Sequence, residues 1–352
     1  MSDLLKERLK KIEAEISTCI PENPSAEWLN LAAGPLQQRL AQKTLKQINA
    51  PARALLDRGG KRWRPLFMLF CCELCGGGEN ALPLTPLVEI PHNGSLIIDD
   101  IEDNSSERRG GAAIHLLYGT DLAINSGNYM YFLPAFLIDK SNLGNRERLR
   151  VYESFMENLR RLHLGQGLDI LWHRDHGYIP GVAEYLQMCR LKTGSLARMA
   201  AQIGVIAARG SVELADYLGK AAEDFGAAFQ IIDDVKNLSS GIPGKQRGDD
   251  IIEGKKSLPV ILHLRKEPHT KEELKELFEK AAARVPSGDV KEINKAIDLL
   301  TGSGSLQEAE VIAGRIMKNA RQMIVKAFPY RKPYMKDPLE LLLKLIDSLI
   351  SY

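Results

Sequence analysis

The chain has 352 residues, 44% of them hydrophobic, which is enough to bury a substantial core. Its 47 basic and 45 acidic residues leave a formal net charge of +2, and aromatic residues make up only 6%, so the composition gives no indication of a nucleic-acid partner. No apolar run reaches the roughly 18 residues of a membrane span, the charged N-terminus lacks a signal-peptide core, and five cysteines fit a reducing cytoplasm better than a disulfide framework.

Helical periodicity dominates the chain, whereas strand-like alternation is scarce. We predict amphipathic helices over residues 36–56 (broken or bent at Pro51), 149–172, 182–209 (interrupted at residues 192–194), 212–238, 317–328 and 338–351, with glycine-rich loops at 76–78, 239–244 and 285–288. The fold prediction is therefore all-α: one domain over residues 35–352, a large helical bundle with its active-site cavity between central helices, preceded by an accessory N-terminal segment over residues 1–34.

A short basic segment follows the first of these helices. Lys61, Arg62 and Arg64 come directly after Gly59 and Gly60. This pattern is compatible with an anion-binding turn, but a basic loop of this size is common and the pattern alone does not distinguish the two.

The first acidic cluster, residues 99–103, follows an apolar run. His92, Asp99 and Asp103 share one helix face, and carboxylates that face inward are costly unless a cation neutralises them. Arg108 and Arg109 come soon after, and guanidinium groups match phosphate oxygens in a bidentate manner. The alternative is a solvated helix end with local ion pairs.

The second acidic cluster repeats this pattern further along the chain. Gln230, Asp233, Asp234 and Asn237 fall at positions i, i+3, i+4 and i+7 of one helix. A glycine-rich segment with several lysines follows, which suits a lid over phosphates but is also the composition of an ordinary basic surface loop.

Two such clusters that met across a cavity would form an oxygen-rich cage. Mg²⁺ suits such a cage, because a few carboxylates, waters and substrate phosphates normally hold it. The sequence therefore predicts an enzyme that acts on a diphosphate.

Six segments in order carry a resemblance to a known family. They are Gly-Gly-Lys-Arg-Trp-Arg-Pro from residue 59, Asp-Asp-Ile-Glu-Asp from residue 99 with Arg-Arg-Gly from residue 108, Gly-Gln-Gly-Leu-Asp from residue 165, Lys-Thr at 192, Gln-Ile-Ile-Asp-Asp from residue 230 and Gly-Lys at 254. Together they resemble the trans-prenyltransferases, the head-to-tail polyprenyl diphosphate synthases, and the resemblance implies an all-α bundle of the type I isoprenoid synthase kind.

The resemblance also implies roles for individual residues. The catalytic set would be Asp99, Asp100, Asp103, Asp233 and Lys192, and Asp234 would support it. The ligands of several Mg²⁺ ions would be Asp99, Asp103 and Asp233. The allylic diphosphate would be bound by Arg108, Lys192, Thr193, Gln230, Lys245 and Lys255, and isopentenyl diphosphate by Lys61, Arg64, His92 and Arg109.

Three positions depart from the common family pattern. Asn237 stands where many members have a third aspartate, so we expect it to bind metal weakly or not at all. Ile98 precedes the first aspartate pair where histidine is frequent, and Pro91 lies inside the helix that carries His92.

Product length is predicted from the residues around the growing chain. Gly94 and Ser95 stand where relatives with short products have bulky aromatics, so we expect room for growth there. Tyr131, Phe132 and His163 resemble the residues that form the floor of the product tunnel in geranylgeranyl diphosphate synthases. They would stop growth of the prenyl chain at about twenty carbons. The alternative is that these three residues are ordinary core side chains.

Several other functions remain open from the sequence. The alternatives are a synthase of farnesyl or a longer polyprenyl diphosphate, and a catalytically silent subunit of a heteromeric synthase. A terpene cyclase has no need of the basic residues 61, 64 and 92, and a di-iron bundle needs two Glu-x-x-His motifs where this chain offers only residues 89–92. We expect a cytoplasmic homodimer with no membrane span.

Overall fold

The structure is a computed structural model that describes residues 3–175, 177–241, 247–283, 291–330 and 332–350. The predicted loop at 285–288, the second half of the predicted loop at 239–244, and Lys245 lie outside these residues. Within the described part the chain is almost entirely helical, and the all-α prediction is confirmed. No helix in that part is long and apolar enough to cross a membrane.

The chain divides into two compact units. Unit 1 comprises Met1–Leu159, Arg198–Gly219 and Ala327–Leu345, and unit 2 comprises Arg160–Ala197, Lys220–Lys326 and Ile346–Tyr352. The α-helices are α1 Asp3–Cys19, α2 Ala26–Ala33, α3 Gln42–Leu56, α4 Trp63–Leu74, α5 Pro86–Glu102, α6 Ile114–Tyr118, α7 Thr120–Phe132, α8 Phe136–Lys140, α9 Asn145–Arg174, α10 Val182–Cys189, α11 Ser195–Ala207, α12 Val212–Leu238, α13 Asp249–Ile252, α14 Leu258–Lys266, α15 Lys271–Ala283, α16 Lys291–Gly302, α17 Ser305–Ala327 and α18 Lys336–Ile350. Short 3₁₀ turns lie at Leu82–Leu84, Leu133–Ala135, Pro268–Thr270 and Pro333–Met335, a π-helical turn lies at Arg190–Gly194, and strands β1 Glu107–Arg108 and β2 Gly111–Ala112 form one antiparallel hairpin.

The core of unit 1 centres on α4 and α5. Nearly every residue of α4 is buried, including Phe67 and Phe70, which are fully inaccessible. Such a helix is apolar on all sides, so neighbouring helices must surround it. The separate core of unit 2 is built on Tyr185, Ile231 and Leu277 and the apolar faces of α14 to α17.

The predicted helices agree with the structure except at their ends. The helix over 212–238 is found with the same bounds, whereas α3 begins at Gln42 instead of residue 36. Leu36 and Leu40 are exposed, so the apolar spacing there did not mark a buried face. Helix α3 runs on through Pro51 and is not broken there, and α5 likewise continues through Pro91.

The N-terminal residues fold as part of unit 1. Helix α1 buries Ile12 and Ile16 completely or nearly so, and α2 begins where the hydroxyl of Ser25 accepts a hydrogen bond from the backbone N–H of Trp28 at 3.0 Å. The division of the chain at residue 34 into accessory and catalytic segments stays a prediction.

Candidate active site

The β-hairpin of unit 1 positions two of the predicted arginines. Arg109 and Gly110 form its two-residue turn and both have left-handed backbone angles, φ 51° and 72°, as the primed turns of tight hairpins require. Arg58, just after α3, braces the hairpin by donating from Nη1 to the carbonyl of Arg108 at 2.7 Å and from Nη2 to that of Ala112 at 2.9 Å. The hairpin is therefore anchored to the end of α3.

Asp100 and Arg108 form a buried ion pair. Asp100 is completely buried, and Arg108 donates from Nε to its Oδ1 at 2.7 Å and also contacts that oxygen through Nη2. Burial opposes the charge of Arg108, but Asp100, helped by Asp99 and Asp103, raises the pKa of the guanidinium above its usual value. Asp99 and Asp103 are only partly buried and lie one turn apart, with the Asp103 N–H donating to the Asp99 carbonyl at 2.9 Å.

Two cationic residues, Arg64 and Arg109, surround His92 in unit 1. Arg64 is only 7% exposed, and its Nε has no hydrogen-bond partner among the described residues. Burial lowers the pKa of Arg64 to about 10. Burial, and then Arg64 and Arg109, hold the pKa of His92 well below its usual value, so the imidazole is neutral at pH 7. A buried guanidinium with an unsatisfied N–H next to a second guanidinium is the chemistry of an anion site. Lys61 is exposed at the start of this segment.

In unit 2 a π-helical turn carries Lys192 and Thr193. The turn lies where three glycines allow close backbone approach. A Cβ on Gly165 would lie 2.3 Å from the backbone nitrogen of Lys192, and a Cβ on Gly226 would lie 2.8 Å from the Cα of Gly194. A π turn inserts one residue into the helix and so changes the direction of the side chains around it. The sequence prediction of one helix over 182–209 with an interruption at Lys192 is confirmed.

Lys192 is held by a buried carboxylate. Its Nζ donates to Asp169 Oδ2 at 2.6 Å, and His173 Nε2 lies 2.9 Å from Asp169 Oδ1. Burial alone would raise the pKa of Asp169, but Lys192 and His173 outweigh it and hold that pKa well below its usual range. Asp169 is therefore ionised and fixes the position of the Lys192 ammonium.

A hydrogen-bond chain joins Thr193 to the second acidic cluster. Thr193 Oγ1 donates to Gln230 Oε1 at 2.7 Å, and Gln230 Nε2 donates to Asp234 Oδ1 at 2.8 Å. The hydroxyl of Tyr185 donates to Asp234 Oδ2. Burial, and then the neighbouring Asp250, raise the pKa of Asp234 to about 8. Asp233, the other member of the pair, is only partly buried.

The segment after the second cluster is tied back to α12. Asn237 Oδ1 accepts a hydrogen bond from the backbone N–H of Asp250 at 3.3 Å, and the Asn237 carbonyl accepts one from the N–H of Gly248 at 3.0 Å. Lys255 donates to Asp250 Oδ1 at 3.1 Å and pairs with Glu253. Asn237 therefore holds this segment with its side chain, and the expectation that it is a poor metal ligand stays a prediction.

The predicted chain-length residues have very different environments. A Cβ on Gly94 would lie 2.8 Å from the carbonyl oxygen of Gly127, so the glycine serves the close crossing of α5 and α7 and the open space expected there is not seen. Ser95 donates to the carbonyl of His92 at 2.8 Å. Tyr131 is 5% exposed, whereas Phe132 is 63% exposed. His163 is exposed too, so the alternative of an ordinary core side chain fits only Tyr131.

The carboxylates present suit a hard divalent cation. Among the described residues no three His, Cys, Asp or Glu side chains come together as a preformed metal cluster. Mg²⁺ does not require one, because one or two carboxylates with waters and substrate phosphates normally hold it. The partly buried Asp99, Asp103 and Asp233 offer such oxygens, while the Oδ1 of Asp100 is engaged by Arg108.

Comparisons with known proteins agree with this chemistry. The family described as "Polyprenyl synthetase" matches residues 45–298. A geranylfarnesyl diphosphate synthase of Aeropyrum pernix is 32% identical over 311 residues, which cover 86% of this chain and 94% of that protein. A geranylgeranyl pyrophosphate synthase of Macrophomina phaseolina is 34% identical over 305 residues, 84% of this chain and 88% of that protein. The crystal structure of a polyprenyl synthase from Caulobacter crescentus, complexed with calcium and isoprenyl diphosphate, matches with a TM-score of 0.78 at 25% identity, covering 99% of this chain and 96% of that one.

The predominantly helical fold and the similarity to named synthases over most of the chain show a prenyltransferase. The chain belongs to the polyprenyl synthetase family, an enzyme family of isoprenoid biosynthesis. The resemblance that the six motifs indicated is therefore confirmed.

Sequence reasoning missed the residues that hold the motif side chains in place. Arg58 and Tyr185 lie outside the motifs and carry no pattern that marks them, whereas Asn93 adjoins His92 and His173 lies one turn after Asp169. The missed residues are Glu13, Arg58, Glu89, Asn93, His173, Tyr185 and Asp250.

Proposed function

We propose that this chain is a magnesium-dependent head-to-tail prenyltransferase that condenses isopentenyl diphosphate with an allylic diphosphate and releases geranylgeranyl diphosphate. The observation that carries the proposal is the buried, unsatisfied Nε of Arg64 in a cluster with Arg109 and neutral His92. Such a cluster binds a second diphosphate without metal, which a one-substrate terpene cyclase would not need.

The two substrates are bound by different chemistry. Lys61, Arg64, His92 and Arg109 bind isopentenyl diphosphate, and neutral His92 contributes a hydrogen bond and not a charge. Asp99, Asp103 and Asp233 supply the metal ligands. The allylic diphosphate is bound by Arg108, Lys192, Thr193, Gln230, Lys245 and Lys255.

Loss of the allylic diphosphate leaves a carbocation and puts negative charge on the departing oxygens. Bound Mg²⁺ supplies charge stabilisation to those oxygens. Arg108 and Lys192, which Asp100 and Asp169 hold in place, are fixed cations that stabilise the same charge without reorganisation. The double bond of isopentenyl diphosphate then attacks the cation, and the released diphosphate takes up the proton that leaves the adduct.

The product assignment rests on relatives and on Tyr131. The Macrophomina protein is named for a twenty-carbon product, and Tyr131 is the buried member of the three predicted floor residues. The Aeropyrum relative, which aligns over 94% of its length, is named for a longer product and favours geranylfarnesyl diphosphate as the second candidate.

A homodimer in the cytoplasm completes the proposal. Unit 1 exposes several large apolar side chains on α6, α7 and α9, namely Leu116, Leu117, Ile124, Phe132, Leu149 and Met156. Exposed apolar groups in this number favour a protein partner, and a second copy of the chain is the partner we propose. All five cysteines lack disulfides, which fits a reducing compartment. Sedimentation equilibrium should give twice the chain mass, and a monomer at micromolar concentration would contradict the dimer.

Incubation with labelled isopentenyl diphosphate tests the function directly. The protein is supplied with dimethylallyl, geranyl or farnesyl diphosphate and Mg²⁺, and the products are resolved by chain length. We expect consumption of isopentenyl diphosphate with every accepted primer, accumulation of the twenty-carbon product, and no reaction with EDTA. No consumption with any primer would support the silent-subunit alternative and contradict the proposal.

A further inference from the structure

Arg62 lies between two carboxylates inside unit 1. Its side chain is 1% exposed, and it donates from Nη1 to Glu89 Oε1 at 2.7 Å and from Nε to Glu13 Oε1 at 2.8 Å. Its Nη2 donates to the carbonyl of Leu56 at 2.9 Å, at the end of α3. This one guanidinium, which stands at the start of α4, therefore joins α1, α3 and α5.

The network continues from Glu89 to Arg109. Asn93 Nδ2 donates to Glu89 Oε1 at 3.0 Å and to the Glu89 carbonyl at 2.7 Å, which fixes the direction of the amide. The Oδ1 of Asn93 then accepts from Arg109 Nη1 at 2.9 Å, and the same guanidinium also donates to the Gly59 carbonyl. The Asn93 amide and the Gly59 carbonyl therefore hold the guanidinium of Arg109 in place.

The charges of the network explain why Glu13 matters. Arg62, Arg64 and Arg109 are like charges held close together. Arg64 and Arg62 add to the effect of burial in lowering the pKa of His92, and Arg62 likewise lowers the pKa of Arg109. Glu13 and Glu89 are the two carboxylates that pair with Arg62. Glu13 lies in α1, before the segment that the family description matches, and its side chain is 47% exposed.

We propose that helix α1 is a positioning element of the isopentenyl diphosphate pocket, in which Glu13 holds Arg62, Arg62 holds Glu89, and Glu89 with Asn93 fixes the guanidinium of Arg109. The inference rests on the proposed function, because it takes Arg109 as a ligand of that diphosphate. Glu13 is a positioning residue and does not touch the substrate. The N-terminal segment therefore has a functional role through this chain of contacts.

The first test is Glu13→Gln, which removes the charge and keeps the shape. We expect the KM for isopentenyl diphosphate to rise about threefold, while kcat stays within about twofold and the KM for the allylic substrate is unchanged. Glu7→Gln is the matched control, because Glu7 lies on the same helix and, among the described residues, forms an ion pair with Lys11 at 3.0 Å and none with Arg62. An unchanged KM for isopentenyl diphosphate, or an equal rise for both substrates, would overturn the proposal.

A double-mutant cycle tests the route through Asn93. Asn93→Ala breaks the link between Glu89 and Arg109, so Glu13→Gln should add little in that background. The same threefold rise in both backgrounds would overturn the route. Thermal melts are recorded for each variant, and Glu13→Gln remains informative by itself should Asn93→Ala fail to fold. The wild-type protein gives the reference: no turnover of isopentenyl diphosphate contradicts the proposed function, whereas normal turnover with an unaffected Glu13→Gln contradicts only the role of α1.

Discussion

At the scale of single residues, Asp100 shows how a buried charge is sustained. The carboxylate is inaccessible, and Arg108 neutralises it through two nitrogens on one oxygen. A lysine could not make this forked contact, because its ammonium is a single point charge. Arg108 therefore has two roles in our account: it stabilises unit 1 and it contacts the allylic diphosphate.

We expect Arg108→Ala to destabilise the protein by about 3 kcal/mol, because Asp100 would be left buried without its partner. Arg108→Lys should recover much of the stability but leave kcat/KM about a hundredfold below wild type, since the forked donor is lost. Chemical denaturation and steady-state kinetics measure the two effects. Arg321→Lys, in the exposed pair with Asp347, is the control and should change neither quantity. Full activity of Arg108→Lys would contradict the proposed contact.

His92 gives a prediction of pH dependence. Burial, and then Arg64 and Arg109, hold its folded-state pKa well below the unfolded value near 6.5, so the unfolded state takes up a proton first as the pH falls. The contribution of His92 to the free energy of unfolding is fully present above about pH 6.5. Below that pH it is lost by up to about 1.4 kcal/mol per pH unit. His92→Gln should therefore lose less stability than wild type between pH 7 and pH 5 in urea titrations. Equal losses would show that His92 is not held neutral.

Tyr131 is the residue on which product length depends in our account. We expect Tyr131→Ala to shift the product beyond twenty carbons, because the buried ring is removed from the predicted floor. Met130→Ala is the control: Met130 is fully buried on the same helix but contacts the α5 crossing at Gly94, so it should cost stability without lengthening the product. Chromatography of the dephosphorylated products measures both. A product of unchanged length from Tyr131→Ala would remove the assignment.

At the scale of elements, the crossing at the π turn decides where Lys192 and Thr193 lie. Gly165→Ala would place a Cβ 2.3 Å from the backbone nitrogen of Lys192. We therefore expect the free energy of unfolding to fall by about 2 kcal/mol and kcat to be reduced. Gly167→Ala, two residues along the same helix, has nothing within 4 Å and should be neutral or slightly stabilising. Thermal unfolding and kinetics of the pair separate a packing effect from a propensity effect. Similar behaviour of the two variants would contradict the close crossing.

The elements also show what periodicity can and cannot predict. Helix α12 has the bounds expected from its apolar spacing, because one face is buried along its whole length. The predicted start of α3 at residue 36 was wrong, because Leu36 and Leu40 repeat at helical spacing yet are exposed. The π turn was visible only as an interruption at Lys192, because its form depends on glycines in two other helices.

At the scale of the whole molecule, the fold class and the family followed from the sequence. The motif residues are a fixed set in order along the chain, so their chemistry was readable without coordinates. Their supports were not, because contacts such as Glu13 with Arg62 and Tyr185 with Asp234 join residues that lie about fifty positions apart. The environment of Gly94 was likewise misjudged, since its neighbours belong to α7.

The central claim is that Asp99, Asp103 and Asp233 hold divalent cations on a diphosphate. Crystals grown with Mn²⁺ and a non-hydrolysable thio analogue of an allylic diphosphate test it through anomalous diffraction. The account predicts Mn²⁺ peaks within about 2.5 Å of carboxylate oxygens from all three aspartates and bridged by diphosphate oxygens. Mn²⁺ bound elsewhere, or Asp99 and Asp233 on separate surfaces with no diphosphate between them, would contradict it.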